Sequence, residues 1–182
     1  MRIIAGQYKG HKLYAPRGKT VRPTLDRVRE FIFSFLGDEV QDAVVLDLFA
    51  GSGSLGLEAM SRGAKEVSFV DRSAAAIQCI KRNLEKISAS AHVYRMPVQV
   101  FLKFAQEQKL SYDLIFCDPP YAYDRLSELA QEIKSRQILK DRGLFIYESS
   151  SRISLPIVQG FHIIKQKEMG DTVITFFSLS HE

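Results

Sequence analysis

With 182 residues, 46% hydrophobic and 25% charged, the chain has the composition of one globular domain, long enough to bury most of the surface that its unfolded form exposes. No stretch approaches the roughly 18 consecutive apolar residues of a membrane span, and the start, "MRIIAGQYKGHK", has no continuous signal-peptide core, so a cytoplasmic protein is expected. The net charge of +4 is unevenly placed: residues 1–30 carry eight basic side chains against Asp26 and Glu30, a net +6, which leaves −2 for the remainder. That distribution suits a polyanion-binding arm on a near-neutral body, although a solvated basic terminus would look the same.

In chain order, "RIIAGQYKGHKLYAP" holds two short apolar stretches around a glycine-containing turn, and a β-hairpin is expected within residues 1–20. "RPTLDRVREFIFSFLG" opens a helix, with Thr24 as its cap after Pro23 and Gly37 as its stop. Leu25, Val28, Phe31, Ile32, Phe35 and Leu36 fall on one face at helical spacing, ready to dock on a core. From there the pattern alternates. Strands are predicted at 43–50, 66–71, 91–95, 112–118 and 143–149, and helices at 54–62, 73–87, 97–108 and 124–139. The strands are rich in Val, Ile, Leu and Phe without strict alternation, as strands buried on both faces are. Repeated β–α units of this length imply a mostly parallel sheet covered by helices. The tail "GFHIIKQKEMGDTVITFFSLS" reads as two strands joined at Gly170-Asp171, an antiparallel hairpin on one edge, with Phe176 and Phe177 on opposite faces.

Two stretches can carry chemistry. In "LDLFAGSGSLG" a strand ends at 47–50, Gly51, Gly53 and Gly56 fit G-x-G-x-x-G, and a helix follows. Such a loop lets a ligand approach the backbone and offers it free N–H groups. Asp71 closes the next strand 20 residues after Gly51, where an acid can hold a ribose diol. Asp47, just before the loop, would repel a pyrophosphate and attract an ammonium. S-adenosylmethionine carries both a ribose and an ammonium, so it fits better than a dinucleotide.

The second stretch is "YDLIFCDPPYAYD". Two prolines remove N–H donors and bias the residues before them toward extended geometry, so Asp118 sits on a fixed corner. In a parallel sheet that corner shares a rim with the glycine loop. The Asp118 carboxylate and the Pro119 carbonyl can then accept both hydrogens of an exocyclic amine and leave its lone pair exposed to an electrophilic methyl. Tyr121 offers a face for an unpaired base. Cys79 and Cys117 lack a CxxC spacing and read as buried free thiols, and the four histidines stand singly, so no metal is expected. Tyr8 and Tyr14 interleave with basic residues, a pattern that serves RNA stacking or hairpin packing equally. Glu148 ends the fifth strand on the same rim, where it can face the pocket, and a salt bridge is its expected role.

"RPTLDRVRE", "LDLFAGSGSLGLEA" and "DPPY", with "RIIAGQYKGHKL" before them and "MGDTVITFF" near the end, resemble the bacterial small-subunit ribosomal RNA methyltransferase D family across nearly the whole chain. The resemblance implies a Rossmann-like S-adenosylmethionine-dependent methyltransferase fold and methylation of N2 of one guanine in 16S rRNA. By motif it implies that Thr24, Asp47, Phe49, Gly51, Gly53 and Gly56 contact the cofactor, and that Asp71 holds its ribose. Asp118, Pro119, Pro120 and Tyr121 become the catalytic loop, and Lys9, Lys12, Arg17 and Arg22 the RNA contact. The implied organisation is a basic N-terminal hairpin extension over residues 1–23 and a methyltransferase domain over 24–182. The implied partner is 16S rRNA or the assembling small subunit, met by a monomer.

The chain departs from the family pattern in "RMPVQ", where Pro97 stands at the position that reads adenine. Proline supplies no donor there, so neighbours or packing must hold the base. Phe31 and Ser34 also stand where small and amide residues are common. Two other readings compete: an adenine-N6 methyltransferase, which shares D-P-P-Y, and a non-catalytic RNA-binding ribosome-assembly module, which Pro97 would permit.

Overall fold

The computed structural model describes residues 1–16, 23–120 and 122–180, with the side chains of Pro23, Thr24 and Leu25 set aside. Helix α1 spans Pro23–Leu36 and a short 3-10 turn follows at Gly37–Val40. Then come β1 (Val44–Leu48), α2 (Ser54–Ser61), β2 (Glu66–Asp71), α3 (Ala74–Lys86), β3 (His92–Arg95), α4 (Val98–Glu107), β4 (Tyr112–Cys117) and α5 (Leu126–Ser135). The last three strands are β5 (Leu139–Ser150), β6 (Phe161–Met169) and β7 (Thr172–Leu179).

One seven-stranded sheet has the order β3-β2-β1-β4-β5-β7-β6. The first five strands run parallel, while β7 pairs antiparallel with both β5 and β6. The chain winds outward from β1 to β3 and then returns to β4. The β1/β4 boundary is therefore the switch point, outside whose carboxyl ends α/β sheets bind ligands.

Side-chain alternation sends each strand's residues to two separate cores. Val45, Val67, Phe69, Phe116 and Phe176 pack under the helices α1, α2 and α3. Leu46, Val70, Ile115, Phe145 and Phe177 pack under α4 and α5 on the opposite face. Phe176 and Phe177 thus divide between the faces as expected, each worth about 1.5–3 kcal/mol of burial. The same alternation puts Asp47 on the face of Val45, beneath α2.

Three elements depart from their sequence expectation. The hairpin at the N-terminus does not form strands over residues 1–16: one antiparallel bridge joins Arg2 to Lys12. Ile3, Gly10 and Leu13 donate across the segment, to the carbonyls of His11, Ile3 and Met1 at 3.0, 2.9 and 3.0 Å, while other backbone donors go to α2. The N–H groups of Ile4 and Ala5 donate to the Glu58 carboxylate at 2.8 and 3.1 Å, that of Tyr8 to Ser61 Oγ at 3.0 Å, and that of Gln7 to the Ser61 carbonyl at 2.8 Å. Second, α1 begins at Pro23, a residue suited to the first helical position, so Thr24 lies inside the helix rather than capping it. Its buried stripe is also rotated, to Val28, Arg29, Ile32, Phe33 and Leu36, while Phe35 stays 39% exposed. The N-terminal segment causes the rotation by covering the flank that carries Arg29; Ile3 and Leu13 join the same core. Third, α5 stops at Ser135 because Gln137 adopts φ +55° and the Ile138 N–H turns back to the Ile133 carbonyl at 2.9 Å. Leu139 is then free to open β5 opposite Tyr112.

Candidate active site

The glycine loop is held by its own backbone geometry. Phe49, Gly51 and Gly53 take φ values of +56°, +58° and +77°, and Gly53 is the left-handed residue immediately before α2. Gly56 is needed for another reason: a Cβ there would stand 2.3 Å from the Phe69 ring, so only glycine lets α2 lie this close to β2. Gly53 and Gly56 are buried beneath the loop, whereas Phe49, Gly51, Ser52 and Ser54 face a cavity of about 80 Å³.

Two acids brace this loop. Asp47 is 2% exposed and accepts the Gly56 N–H at 2.9 Å. Burial pushes its carboxyl well above the usual carboxylate range; the Gly56 N–H pulls the other way, and Asp118 and Asp71 add to the rise. Asp47 therefore fastens the loop from below and does not line the cavity. Asp71, half-buried at the end of β2, accepts the Gly51 N–H at 2.9 Å and the Ser73 N–H at 2.8 Å. Asn83, fully buried on α3, adds a third tie by donating to the Ser52 carbonyl at 3.0 Å and the Tyr14 carbonyl at 3.1 Å.

Beside this loop, β4 ends at Cys117 and delivers Asp118 to the same rim. The Tyr123 N–H donates to the Pro120 carbonyl at 2.8 Å, closing the corner as a turn, and the Tyr123 ring meets Phe49 edge-on at 5.1 Å. A second cavity of about 300 Å³ opens here, walled by Pro119, Pro120, Tyr123, Tyr147, Ser149 and Leu155. Asp118 and Glu148 line both cavities. Tyr123 Oη and Ser149 Oγ are buried with no hydrogen-bond partner among the described residues. Burial pushes the Tyr123 phenol up to about 12.

Arg29 is the site residue that sequence reasoning missed. It is 3% exposed and lines the first cavity. Its Nη2 donates to the Arg2 carbonyl at 2.6 Å and to Asp26 at 2.8 Å, yet Nε and Nη1 are buried without a partner among the described residues. Burial lowers this guanidinium from its ordinary value, against the opposing pull of Asp26 and Glu58. An arginine inside an otherwise apolar helical stripe was the available signal. Met1 and Pro16 also line this cavity, so the N-terminal segment is part of the site wall.

Lys9 and Lys12 are exposed on that segment. Tyr14 is 41% exposed and lies under the Arg82 guanidinium at 4.1 Å and the Lys86 ammonium at 5.1 Å, a cation–π contact that links the segment to α3. Arg17, Arg22 and Tyr121 fall outside the described residues, as does the side chain of Thr24. Pro97 directly precedes α4, exposed and without a side-chain cap. Both cysteines are buried, and burial raises both thiols. Among the described residues there is no group of three or more His, Cys, Asp or Glu able to hold a metal, and no helix is long and apolar enough to cross a membrane.

The sheet order, the glycine loop at the switch point and the acid-proline corner beside it define the class: this is the fold of the S-adenosylmethionine-dependent methyltransferases. SMU.776, "a putative methyltransferase complexed with SAH", shares it with a TM-score of 0.68 at 16% identity, over 87% of this chain and 50% of that one. The match to the family described as Conserved hypothetical protein 95 runs over residues 1–178, and the chain belongs to that family of rRNA methyltransferases. It is 39% identical over 170 residues to "Putative rRNA methyltransferase YlbH" of Bacillus subtilis, which covers 92% of each chain. It is 37% identical over 159 residues to ribosomal RNA small subunit methyltransferase D of Escherichia coli, covering 87% of this chain and 79% of that one. The solved structure described as "Putative methyltransferase yhhF from Escherichia coli" superimposes with a TM-score of 0.88 at 34% identity, covering 100% of this chain and 99% of that one.

Proposed function

We propose that this methyltransferase transfers a methyl group from S-adenosylmethionine to the exocyclic N2 amine of a guanine in small-subunit ribosomal RNA. One observation carries the reading: two cavities meet at a wall made of Asp118 and Glu148, one bounded by the glycine loop and the other by the acid-proline corner.

The residues of the first cavity fit the amino-acid end of the cofactor. An arginine buried with two groups, Nε and Nη1, that find no partner among the described residues is costly, and a carboxylate beside it would satisfy them. Gly51, Ser52 and Ser54 would approach the same end, and Asp71 would hold the ribose. At about 80 Å³ the cavity is well below the ~300 Å³ at which small-molecule sites begin, so it takes one end of the ligand only. The adenine would then lie beyond the loop, past Asp71 and toward Pro97, held by packing. When bound, S-adenosylmethionine supplies an electrophilic methyl on a sulfonium.

On the other side of the wall, the Asp118 carboxylate and the Pro119 carbonyl accept the two N–H groups of the target amine. This fixes the nitrogen and turns its lone pair toward the first cavity. The carboxylate also stabilises the positive charge that develops on nitrogen as the methyl arrives. The methylated amine is acidic and loses its proton afterward, so no strong base is needed. Pro119 and Pro120 keep the corner from relaxing. Lys9 and Lys12, exposed near the C-terminal ends of α2 and α3, would engage RNA phosphates away from this rim, and the basic residues Arg17 and Arg22 of the same N-terminal stretch would add to that attraction.

The test is methyl transfer from labelled S-adenosylmethionine to small ribosomal subunits lacking the modification, with nucleoside analysis of the product. Labelled N2-methylguanosine supports the reading. Label on adenine keeps the chemistry and discards the base, and no label on subunits or naked rRNA refutes the transfer.

A further inference from the structure

We propose that Glu148 selects guanine over adenine by accepting the N1–H of the target base in the second cavity. The inference rests on the guanine-N2 reading above and adds the group that reads the base.

The sheet register sets the geometry. Cys117 at the end of β4 pairs in parallel with Tyr147 of β5, so the next residues, Asp118 and Glu148, leave neighbouring strands at the same height. Adjacent strands lie about 4.8 Å apart, which sets the two residues side by side on one rim. Both line the second cavity, whose volume of about 300 Å³ lies at the lower end of the range for small-molecule sites.

Guanine presents two donors in a row, the N2 amine and N1–H, followed by the O6 acceptor. With the amine at Asp118, the adjacent N1–H falls to the adjacent carboxylate. The next position calls for a donor; Tyr123 and Ser149 wall the same cavity, and their hydroxyls, buried within that wall, have no hydrogen-bond partner among the described residues. Burial keeps the Tyr123 phenol protonated at neutral pH, so it can donate. Adenine presents an amine followed by the bare N1 acceptor. Its N1 lone pair would face the Glu148 carboxylate, leaving two acceptors opposed. Sites built this way reject the analogue that lacks the donor, by factors up to ~10⁴ or more.

The deciding experiment uses small subunits reconstituted with rRNA that carries either guanine or 2-aminopurine at the position methylated by the parent enzyme. 2-Aminopurine keeps the 2-amine but has a bare N1 and no O6. The parent should favour guanine by roughly 100-fold in kcat/KM. In Glu148→Gln the amide can donate to a bare N1 and its carbonyl can accept N1–H, so the preference should fall at least about tenfold below the parent's, the remainder being what O6 contributes. The absent O6 weighs equally on parent and variant and cancels between them. Undiminished preference in the variant would overturn the proposal. Equal rates for the two bases in the parent would overturn it without any variant, which covers a Glu148→Gln chain that fails to fold. Failure of the underlying reading looks different, since the parent would then place no methyl on guanine N2.

Discussion

The two sides of the Asp118–Glu148 wall are built in opposite ways. On the glycine-loop side the polar groups are largely engaged: Asp47 holds Gly56, Asp71 holds Gly51 and Ser73, and Asn83 holds Ser52. Arg29 is the exception. On the acid-proline side the walls are stiff, but two hydroxyls have no partner among the described residues and the bordering Ile153 is 47% exposed. A small cofactor of fixed shape can be met by a loop made rigid beforehand. A base arriving on a large RNA has to complete the hydrogen bonding itself, so the protein leaves that part open.

Breaking one side at a time tests this division. The largest effect is expected from Asp118→Ala: single-turnover methyl transfer should fall by at least ~10²-fold, while calorimetry finds cofactor affinity little changed. Gly56→Ala strikes the other side, since its methyl meets the Phe69 ring. A destabilisation of about 1–3 kcal/mol, or more if β2 cannot shift, is expected in thermal and urea melts, together with weaker cofactor binding. Arg29→Gln separates anchoring from structure. The parent should bind S-adenosylhomocysteine better than 5′-methylthioadenosine, which lacks the amino-acid end, and the variant should lose about tenfold of that preference, as expected for a charged hydrogen bond. An unchanged preference would leave Arg29 as a tie to Arg2 and Asp26 alone.

Two smaller effects sharpen the picture. Reversing charge at Lys9 and Lys12 should lower the salt dependence of RNA binding by roughly 0.7–0.9 for each phosphate no longer neutralised, with cofactor affinity untouched. Asp47 predicts a pH signature. Its folded-state pKa is raised, so the folded chain holds that proton more tightly than the unfolded one. Stability from this group is full below the ordinary carboxylate pKa and is lost as pH rises through the raised value. Asp47→Asn keeps an acceptor for Gly56 but cannot ionise. Melting temperatures measured from pH 4 upward should therefore fall less steeply in the variant than in the parent.

The alternating strands and helices were legible in the sequence because each β–α unit carries its own period and its own stop. The acid-proline corner was legible because proline acts locally. What escaped depends on contacts between distant segments. Asp47 was expected to face a ligand ammonium, but strand alternation turns it under α2, and only the approach of α2 shows what it holds. The stripe on α1 was misplaced because Arg29 is drawn into the core by the Arg2 carbonyl and Phe33 by the Phe116 ring on the sheet, contacts that no local pattern reveals. Glu148 was legible as a residue of the same rim, read there as a salt-bridge partner, but its place beside Asp118 needed the β4–β5 register.

The buried carboxylate of Glu58 has a consequence for how the molecule opens. It takes the N–H groups of Ile4 and Ala5 across 54 and 53 residues of sequence, and it is itself fully buried. Releasing those two donors would leave a fully buried carboxyl with the Arg62 guanidinium at 2.8 Å but without its two amide partners, a cost that opposes fraying of the N-terminal segment. In hydrogen–deuterium exchange the amides of Ile4 and Ala5 should exchange as slowly as those of α2, with protection that belongs to a strand although no strand is there.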